Sequence, residues 1–234
     1  MSVLSSQLRS LRQDLEFELQ RFTLLWRYQH YVPPFTLWWR LVLKRTVDFV
    51  GGLVLLVLFS PIMFVVAAVV KLSSPGPVLY VQERMGCFGR SFKMLKFRSM
   101  VSDAESKSGP VWTAAETDPR VTPFGRFLRR SHFDELPQLF NVISGDMSLV
   151  GPRPERPCFV HQLKEVIPNY DQRLFVKPGM TGLAQIHYRY DTSVADVKRK
   201  LRFDLLYVRR MCLVLDARIL AWTFLVMVTG RGIR

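Results

Sequence analysis

Apolar residues recur every three or four positions near the start of the chain, the spacing of one face of an amphipathic helix. They are Leu4, Leu8, Leu11, Leu15, Leu19, Phe22 and Trp26. The stripe is narrow, so this helix could pair with another helix or lie on the body of the protein. Pro33 and Pro34 should end it, because proline lacks the backbone N–H and restricts the residue before it. The aromatic residues that follow, Phe35, Trp38 and Trp39, are typical of a membrane-interface belt.

The next run, Phe49 to Val70, has 22 residues and no charged side chain. At about 1.5 Å per residue, a helix of that length would just cross a hydrocarbon core of roughly 30 Å. Ser60-Pro61 lies in its middle, where proline removes a backbone hydrogen bond and can bend the helix sharply. Basic residues flank the run on both sides, so the positive-inside rule assigns both flanks to the cytoplasm. These features favour a re-entrant hairpin over a spanning helix, although proline occurs in spanning helices too.

Beyond the apolar run, the pattern predicts a smaller mixed structure. Two alternating runs, residues 78–83 and 92–97, are joined by a glycine-bearing segment and predict a β-hairpin. Residues 102–123 have the composition of a loop, and a helix is expected to start near Pro123. The chain is therefore predicted to be α+β and mainly helical.

A further helical stripe lies near the C-terminus, among many basic residues. Its members are Leu201, Leu205, Val208, Cys212, Leu215, Ile219, Trp222 and Val226. A basic amphipathic helix suits an anionic membrane surface, and a core helix explains the stripe equally well.

The overall charge narrows the choice of partner. The 234 residues include 33 Lys and Arg against 19 Asp and Glu, a net charge of +14, which favours nucleic acid, phosphorylated substrates or acidic lipid. A hydrophobic fraction of 49% excludes a disordered or collagen-like chain. Cys87, Cys158 and Cys212 are widely spaced and support neither a disulfide framework nor a zinc site, so a reduced, cytoplasm-facing body is expected. Residues 1–45 do not have the pattern of a cleaved secretory leader.

Candidate chemistry centres on the adjacent carboxylates Asp134 and Glu135, which lie in a basic and apolar stretch. A carboxylate close to guanidinium groups should keep a low pKa and stay ionised, and a divalent cation can bridge it to phosphate oxygens. Phosphoryl transfer uses this equipment, because positioning and charge neutralisation do most of its catalysis. A helix cap or a surface ion pair is the alternative for such a pair taken alone.

Arg153 is the second candidate, because Pro152 and Pro154 stiffen the backbone on either side of it. Its guanidinium would be presented from a rigid loop, which suits bidentate phosphate binding. The alternative is a structural arginine that ties the loop to a carboxylate. The chain has no P-loop, dinucleotide fingerprint, H-E-x-x-H motif or nucleophile elbow, which excludes several familiar enzyme classes.

Six motifs, in order and at compatible spacing, together closely resemble the bacterial sugar transferase family, the monotopic phosphoglycosyl transferases that act on polyprenyl phosphate. They are Lys96–Met100, Asp118–Arg120, Thr122–Gly125, Asp134–Leu139, Gly145–Pro154 and Lys177–Gly182. The resemblance runs from about Lys44 to the C-terminus and implies a re-entrant helix broken at Ser60 and Pro61. The regions expected are an N-terminal amphipathic extension (1–43), a re-entrant helix-break-helix (44–72) and a cytoplasmic catalytic domain with interfacial helices (73–234).

The resemblance also implies an activity at the cytoplasmic face of the bacterial inner membrane. A sugar 1-phosphate would pass from a UDP-sugar to undecaprenyl phosphate, with Mg²⁺, as the first membrane step of polysaccharide or glycoconjugate assembly. Asp134 would attack the sugar-bearing phosphorus, form an aspartyl phosphosugar and release UMP. Glu135 would help to hold magnesium or orient the Asp134 carboxylate.

The resemblance implies roles for four basic residues as well. Arg129 would lie near the phosphate of the lipid acceptor, and Arg153 would engage the nucleotide sugar or the covalent phosphosugar. Lys96 and Arg98 are further candidates for the same phosphate-rich pocket.

Some questions stay open at the level of sequence. Residues 1–43 lie outside the resemblance, and dimer contact or membrane adhesion are the roles considered for them. The competing hypothesis is a non-catalytic basic membrane adaptor, motivated by the +14 charge. No nucleic-acid-binding module is visible, so nucleic acid is not an expected partner. Galactose, glucose and N-acetylated donors all fit the sequence.

Overall fold

The computed structural model describes residues 33–101, 104, 118–188 and 193–229, together with residues 16, 19, 20, 22–25, 27 and 29. The loop predicted at 102–123 lies largely outside the described residues. So does most of the N-terminal stripe, namely Leu4, Leu8, Leu11, Leu15 and Trp26.

The first complete element is helix α1, Pro34–Ser73, which is 40 residues long. It begins directly after Pro33, and proline is well suited to the first turn of a helix because that N–H has no partner there anyway. The helix is long and apolar enough to cross a membrane, and only 11% of its apolar window is buried against the rest of the chain. Phe35, Trp38 and Trp39 are exposed at its start, where a membrane-interface belt was predicted. An exposed apolar surface of this extent favours contact with lipid.

Helix α1 runs without interruption through Ser60 and Pro61. Pro61 has no N–H to donate to the carbonyl of Val57, and the Ser60 hydroxyl donates to that carbonyl instead, at 2.8 Å. The dipeptide therefore satisfies the acceptor that proline leaves open. The re-entrant break at Ser60-Pro61 stays a prediction, as do the region boundaries at 43/44 and 72/73. Both boundaries fall inside α1, the second of them one residue before its end.

The predicted hairpin is confirmed. Strand β1, Leu79–Met85, pairs antiparallel with β2, Ser91–Phe97, with Tyr80 opposite Lys96. A short turn joins the strands, and Phe88 within it has a φ of 53°, in the left-handed region. The hairpin carries Lys96 close to the end of β2.

The helix expected at Pro123 is also confirmed, as α2, Pro123–Ser131. The Thr122 hydroxyl caps it by accepting from the amide of Gly125, and His132 ends it in the left-handed region with a φ of 59°. A single 3₁₀ turn, Phe133–Glu135, then leads towards α3, Gln138–Ser144. Asp134 and Glu135 thus lie in a tight turn between two helices.

A parallel pair of short strands follows, β3 (Ser148–Val150) with β4 (Gly179–Thr181). Between them lie helix α4, Pro157–Val166, and a 3₁₀ segment, Tyr170–Phe175. The backbones meet closely beside the strands: a Cβ on Gly179 would lie 2.0 Å from the amide nitrogen of Gly151. Only glycine fits there.

The C-terminal stripe divides between two helices, α6 and α7, preceded by the short α5. Their bounds are α5, Leu183–His187; α6, Val194–Arg210; and α7, Leu213–Thr229. The stripe was expected on one helix, but the chain is non-helical at Met211 and Cys212. The buried side of α6 supports the core interpretation, whereas α7 exposes Trp222, Phe224 and Leu225, as a surface helix would.

The main hydrophobic core joins α1 to the rest of the fold. Leu37 of α1, Val142 of α3, Val208 of α6 and Ile219 of α7 belong to one buried cluster. The N-terminal end of α1 is therefore part of the folded body, whereas its central apolar stretch is exposed.

Candidate active site

Backbone geometry places the Asp134-Glu135 pair. The amide of His132 donates to the Leu128 carbonyl and closes α2, and the amide of Glu135 donates to the His132 carbonyl at 3.1 Å. The left-handed His132 turns the chain, so that both carboxylates face the end of β2 and the loop around Arg153. Asp134 is buried, with 7% of its surface exposed.

Glu135 is held by two cations from distant parts of the chain. Its Oε1 accepts from Lys96 Nζ at 2.9 Å and from Arg153 Nη2 at 2.6 Å. Burial alone would raise the pKa of Glu135, but the charges and hydrogen bonds of Arg153 and Lys96 outweigh it and hold the pKa well below its usual value. Glu135 is therefore ionised at neutral pH and fixed in place.

Asp134 differs sharply from its neighbour. Within the described parts of the chain, no hydrogen bond reaches its carboxylate. Burial, followed by the charge of Glu135, raises the pKa of Asp134 to about 6, against the opposing charges of Lys96, Arg129 and Arg153. The expectation of a low pKa is therefore wrong for Asp134 and correct for Glu135. Burial raises the pKa of both carboxylates, but Lys96 and Arg153 donate their hydrogen bonds to Glu135.

Lys96 and Arg153 reach the site from two different elements of the fold. Lys96 extends from the end of β2, and burial lowers its pKa while the charge of Glu135 opposes that shift. Arg153 comes from the loop after β3, and 43% of its side chain stays exposed. The structural alternative for Arg153, a tie to a carboxylate, is thus observed, and its exposed part remains accessible to a ligand.

Arg129 lies at the edge of the site, in the last turn of α2. Its Nε donates to the Ser99 hydroxyl at 3.0 Å, and its charge acts on Asp134. The residue is therefore near the carboxylate without a direct bond to it.

Arg98 is placed elsewhere. Its Nη2 donates to the Ser74 carbonyl at 2.7 Å and to the Ser74 hydroxyl at 2.8 Å, so its guanidinium covers the C-terminal end of α1. The structure does not pair it with Asp134 or Glu135, and a phosphate-binding role for Arg98 stays a prediction.

The carboxylates fit magnesium better than a metal that needs many protein ligands. The described residues contain no group of three or more His, Cys, Asp or Glu side chains that could hold a metal ion. Magnesium is usually held by one or two carboxylates together with water and substrate phosphate oxygens. Asp134 has oxygens free of protein donors, so it is the better ligand of the two, with Glu135 beside it.

Sequence reasoning missed two arginines that support the site, the buried Arg173 and the half-buried Arg84. Arg84 donates to the Pro154 carbonyl at 3.0 Å, and Arg173 donates to the Arg153 carbonyl at 2.9 Å. Neither lies in a recognisable periodic pattern, and their partners are 70 and 20 residues away along the chain. Only the folded arrangement shows what they hold.

Comparison with known proteins adds independent evidence. A chain similar to this one is the UDP-N-acetylgalactosamine-undecaprenyl-phosphate N-acetylgalactosaminephosphotransferase of Aeromonas hydrophila, 41% identical over 82% of this chain and 45% of that protein. Another is the UDP-glucose:undecaprenyl-phosphate glucose-1-phosphate transferase of Escherichia coli, 44% identical over 78% of this chain and 39% of that protein. The exopolysaccharide production protein PSS of Rhizobium leguminosarum is 41% identical over 82% of this chain and 98% of its own length.

These similarities have a definite extent. The chain spans less than half the length of the Aeromonas and Escherichia proteins and nearly the whole of the Rhizobium protein. The sequence profile of the bacterial sugar transferases matches residues 39–230, which include most of α1 and every residue of the site described above. The chain therefore belongs to the bacterial sugar transferase family.

Proposed function

We propose that this protein transfers a sugar 1-phosphate from a UDP-sugar to undecaprenyl phosphate, giving an undecaprenyl-diphosphate-sugar and UMP. The observation that carries the proposal is the buried Asp134 carboxylate, which has no hydrogen-bond donor within the described structure and lies beside Lys96 and Arg153. Family membership and the names of the relatives support the choice of substrates. The relatives are named for different sugars, so the sugar itself is left open.

In the first step, an oxygen of Asp134 attacks the phosphorus that bears the sugar. The bond from that phosphorus to the bridging oxygen breaks, and UMP leaves with the bridging oxygen and its electron pair. The product is an aspartyl phosphosugar. Because the Asp134 carboxylate accepts no hydrogen bond from the described residues, its lone pairs are available for this attack. The cations around Glu135 offset the negative charge of the diphosphate.

In the second step, an oxygen of undecaprenyl phosphate attacks the phosphorus of the intermediate and restores the Asp134 carboxylate. The phosphosugar is thereby joined to the lipid phosphate. Arg129 lies at the edge of the site and is the residue assigned to the acceptor phosphate. Arg153 is assigned to the donor, since its guanidinium is partly exposed and rigidly presented.

In this proposal, Asp134 would hold a magnesium ion, with Glu135 beside it. When bound, it would neutralise negative charge on the diphosphate oxygens and so favour the departure of UMP. The lysine and the two arginines of the site act on the same charge from their own positions.

The proposed location is the bacterial inner membrane, with α1 entering as a re-entrant hairpin and the body on the cytoplasmic face. The exposed apolar length of α1 supports membrane contact, and the basic residues at both of its ends support a common side. Cysteines introduced next to Arg45 and Lys71 should react with an impermeant label from the same side. Labelling from opposite sides would restore a spanning helix.

The decisive test uses the purified protein with magnesium, undecaprenyl phosphate and a panel of UDP-sugars, including UDP-glucose and UDP-N-acetylgalactosamine. UMP should be released with one or more donors, and radiolabelled donor without acceptor should leave label on the protein. Asp134→Asn should lose both signals. Turnover by that variant, or brisk turnover with no protein-bound label, contradicts the mechanism; a membrane adaptor would bind vesicles regardless of the substitution.

A further inference from the structure

The loop that presents Arg153 is fastened along its backbone. Four consecutive carbonyl oxygens each accept a hydrogen bond, and the donors come from three separate parts of the fold. The pairs are Gly179 N to Pro152 at 2.9 Å, Arg173 Nη2 to Arg153 at 2.9 Å, Arg84 Nη1 to Pro154 at 3.0 Å and Met85 N to Glu155 at 2.8 Å. Two of the donors are backbone amides, and the other two are guanidinium groups.

Arg173 is itself held in one orientation. Its Nε and Nη2 lie 3.0 and 2.9 Å from Oδ2 of Asp204, and its Nη1 donates to the Tyr170 hydroxyl at 2.8 Å. The residue is buried, with 7% of its surface exposed, and Asp204 neutralises its charge there. Three of its donor positions are therefore committed, and Nη2 is shared between Asp204 and the Arg153 carbonyl.

We propose that Arg173 is a positioning residue for Arg153 in the transfer reaction. The inference rests on the proposed function, in which Arg153 engages the UDP-sugar. Arg173 contacts the backbone of Arg153 and acts through it. Within the described structure, the Arg153 side chain bonds to Glu135 and is partly exposed, so the direction of its guanidinium depends on where its backbone is held.

Lysine cannot reproduce this contact. Its single nitrogen can pair with Asp204, but it lacks the planar fork that serves Asp204, Tyr170 and the Arg153 carbonyl at once. A small cavity lined by Arg153, Pro154 and Arg173 borders the loop. Arg173→Lys is the informative substitution, because it keeps a positive charge beside Asp204 and removes the hydrogen bond to the Arg153 carbonyl.

The expected result is selective for one substrate. A displacement of about 1 Å at a positioning group is able to cost on the order of a hundredfold in rate. Arg173→Lys should raise KM for the UDP-sugar that the wild type uses about tenfold, and leave KM for undecaprenyl phosphate within about twofold of wild type. Equal changes in both constants, or none, overturn the proposal.

A matched control separates positioning from loss of stability. Val160 is fully buried in the core cluster that also contains Tyr170, and its apolar side chain takes no part in the hydrogen bonds that fasten the loop. Val160→Ala should lower the unfolding temperature and leave both KM values unchanged. If Val160→Ala changes KM for the donor as Arg173→Lys does, the effect of Arg173 is merely structural and the proposal is wrong.

A double-mutant cycle with Arg153→Ala tests whether Arg173 acts through Arg153. In the Arg153→Ala background, Arg173→Lys should have no further effect on kcat/KM for the donor. If turnover of Arg153→Ala is too slow to measure, the same cycle is read from the equilibrium affinity for UDP. Additive effects overturn the positioning role.

The cycle also separates this inference from the proposed function. If Arg153→Ala behaves as wild type, Arg153 does not engage the UDP-sugar, and the positioning role of Arg173 is wrong as well. Asp134→Asn still tests the transfer reaction in that case. Turnover by Asp134→Asn contradicts the proposed mechanism, and in that case a tenfold change from Arg173→Lys that disappears in Arg153→Ala still supports the positioning role.

Discussion

Two clusters of buried charge lie in this fold, and they differ in how their carboxylates are satisfied. In the anchoring cluster, Asp216 accepts from Lys44 Nζ at 2.8 Å and from the Tyr207 hydroxyl at 2.7 Å. Asp48 accepts from the amide of Leu149 at 3.1 Å. In the site cluster, Glu135 is equally well provided for, but Asp134 has no donor within the described structure.

The difference separates a structural cluster from a reactive one. A buried polar group without a hydrogen bond costs about 1–3 kcal/mol, so a fold built for stability alone would satisfy it. The anchoring cluster does this and joins α1 to α6, α7 and β3, which fixes α1 on the body of the fold. In the site cluster, one carboxylate receives no hydrogen bond from the described residues, and such local departures from full pairing are expected at functional sites.

Asp134→Asn should have the largest effect on activity and little effect on stability. Removal of the nucleophile should lower turnover by roughly 10⁴-fold or more. The unfolding temperature should stay the same or rise, because no donor loses a partner and an unsatisfied charge is removed. UMP release and thermal unfolding in detergent measure the two effects. A clear fall in the unfolding temperature would show that Asp134 is a structural residue.

Lys44→Met should have the opposite profile. Loss of the ammonium leaves Asp216 and Asp48 buried without their cation, at a cost of about 3–5 kcal/mol in the free energy of unfolding. Denaturant unfolding of the detergent-solubilised protein measures this cost. Lys71→Met, at the exposed end of α1, is the matched control and should change stability by no more than about 0.5 kcal/mol. Equal effects would mean that the anchoring cluster contributes no more than a surface charge.

Removal of magnesium should affect only the site cluster. Chelation should lower turnover by about a hundredfold, because charge neutralisation by a divalent ion contributes several kcal/mol to such displacements. Restored magnesium should restore activity. The fold should be unaffected, since the anchoring cluster holds no metal-binding group of three side chains in the described residues. If chelation leaves turnover unchanged, the reaction does not need magnesium and that part of the proposal is wrong.

Tyr207→Phe is the smallest of these changes and sharpens the comparison. It removes one donor from Asp216 and keeps the ring, which should cost about 1–2 kcal/mol of stability. Turnover per folded molecule should stay within about twofold of wild type. The ratio of activity to folded fraction, measured at two temperatures, checks this. A large loss of turnover in the folded protein would connect the two clusters functionally.

Much of the local structure was predictable because its causes are local. Glycine- and proline-containing turns and the alternation of apolar and polar residues predicted the hairpin. Pro123 predicted the start of α2. The apolar run predicted a helix across residues 49–70, whereas the observed helix extends over Pro34–Ser73. The C-terminal stripe was less informative, because apolar spacing alone does not reveal the break at Met211 and Cys212 or which end is buried.

The site was predictable in its residues but not in its electrostatics. The motif resemblance named Asp134, Glu135, Lys96, Arg129 and Arg153, and the structure brings all five to one region. The pKa of Asp134 could not be predicted, because a pKa depends on burial and on which carboxylate receives the donors. Arg98, equally basic and close to Lys96 along the chain, instead lies against the C-terminal end of α1.

By itself, then, the sequence determined the elements whose signals lie within a few residues of one another, and the family to which the chain belongs. The packing of the folded chain decided that Lys96 and Arg153 bond to Glu135 and that Asp134 receives no hydrogen bond from the described residues. It also decided that Arg173 and Arg84 hold the loop of Arg153. The physical reason is that hydrogen bonds between residues 20 to 70 positions apart depend on the packing of whole elements, which leaves no periodic trace in the chain.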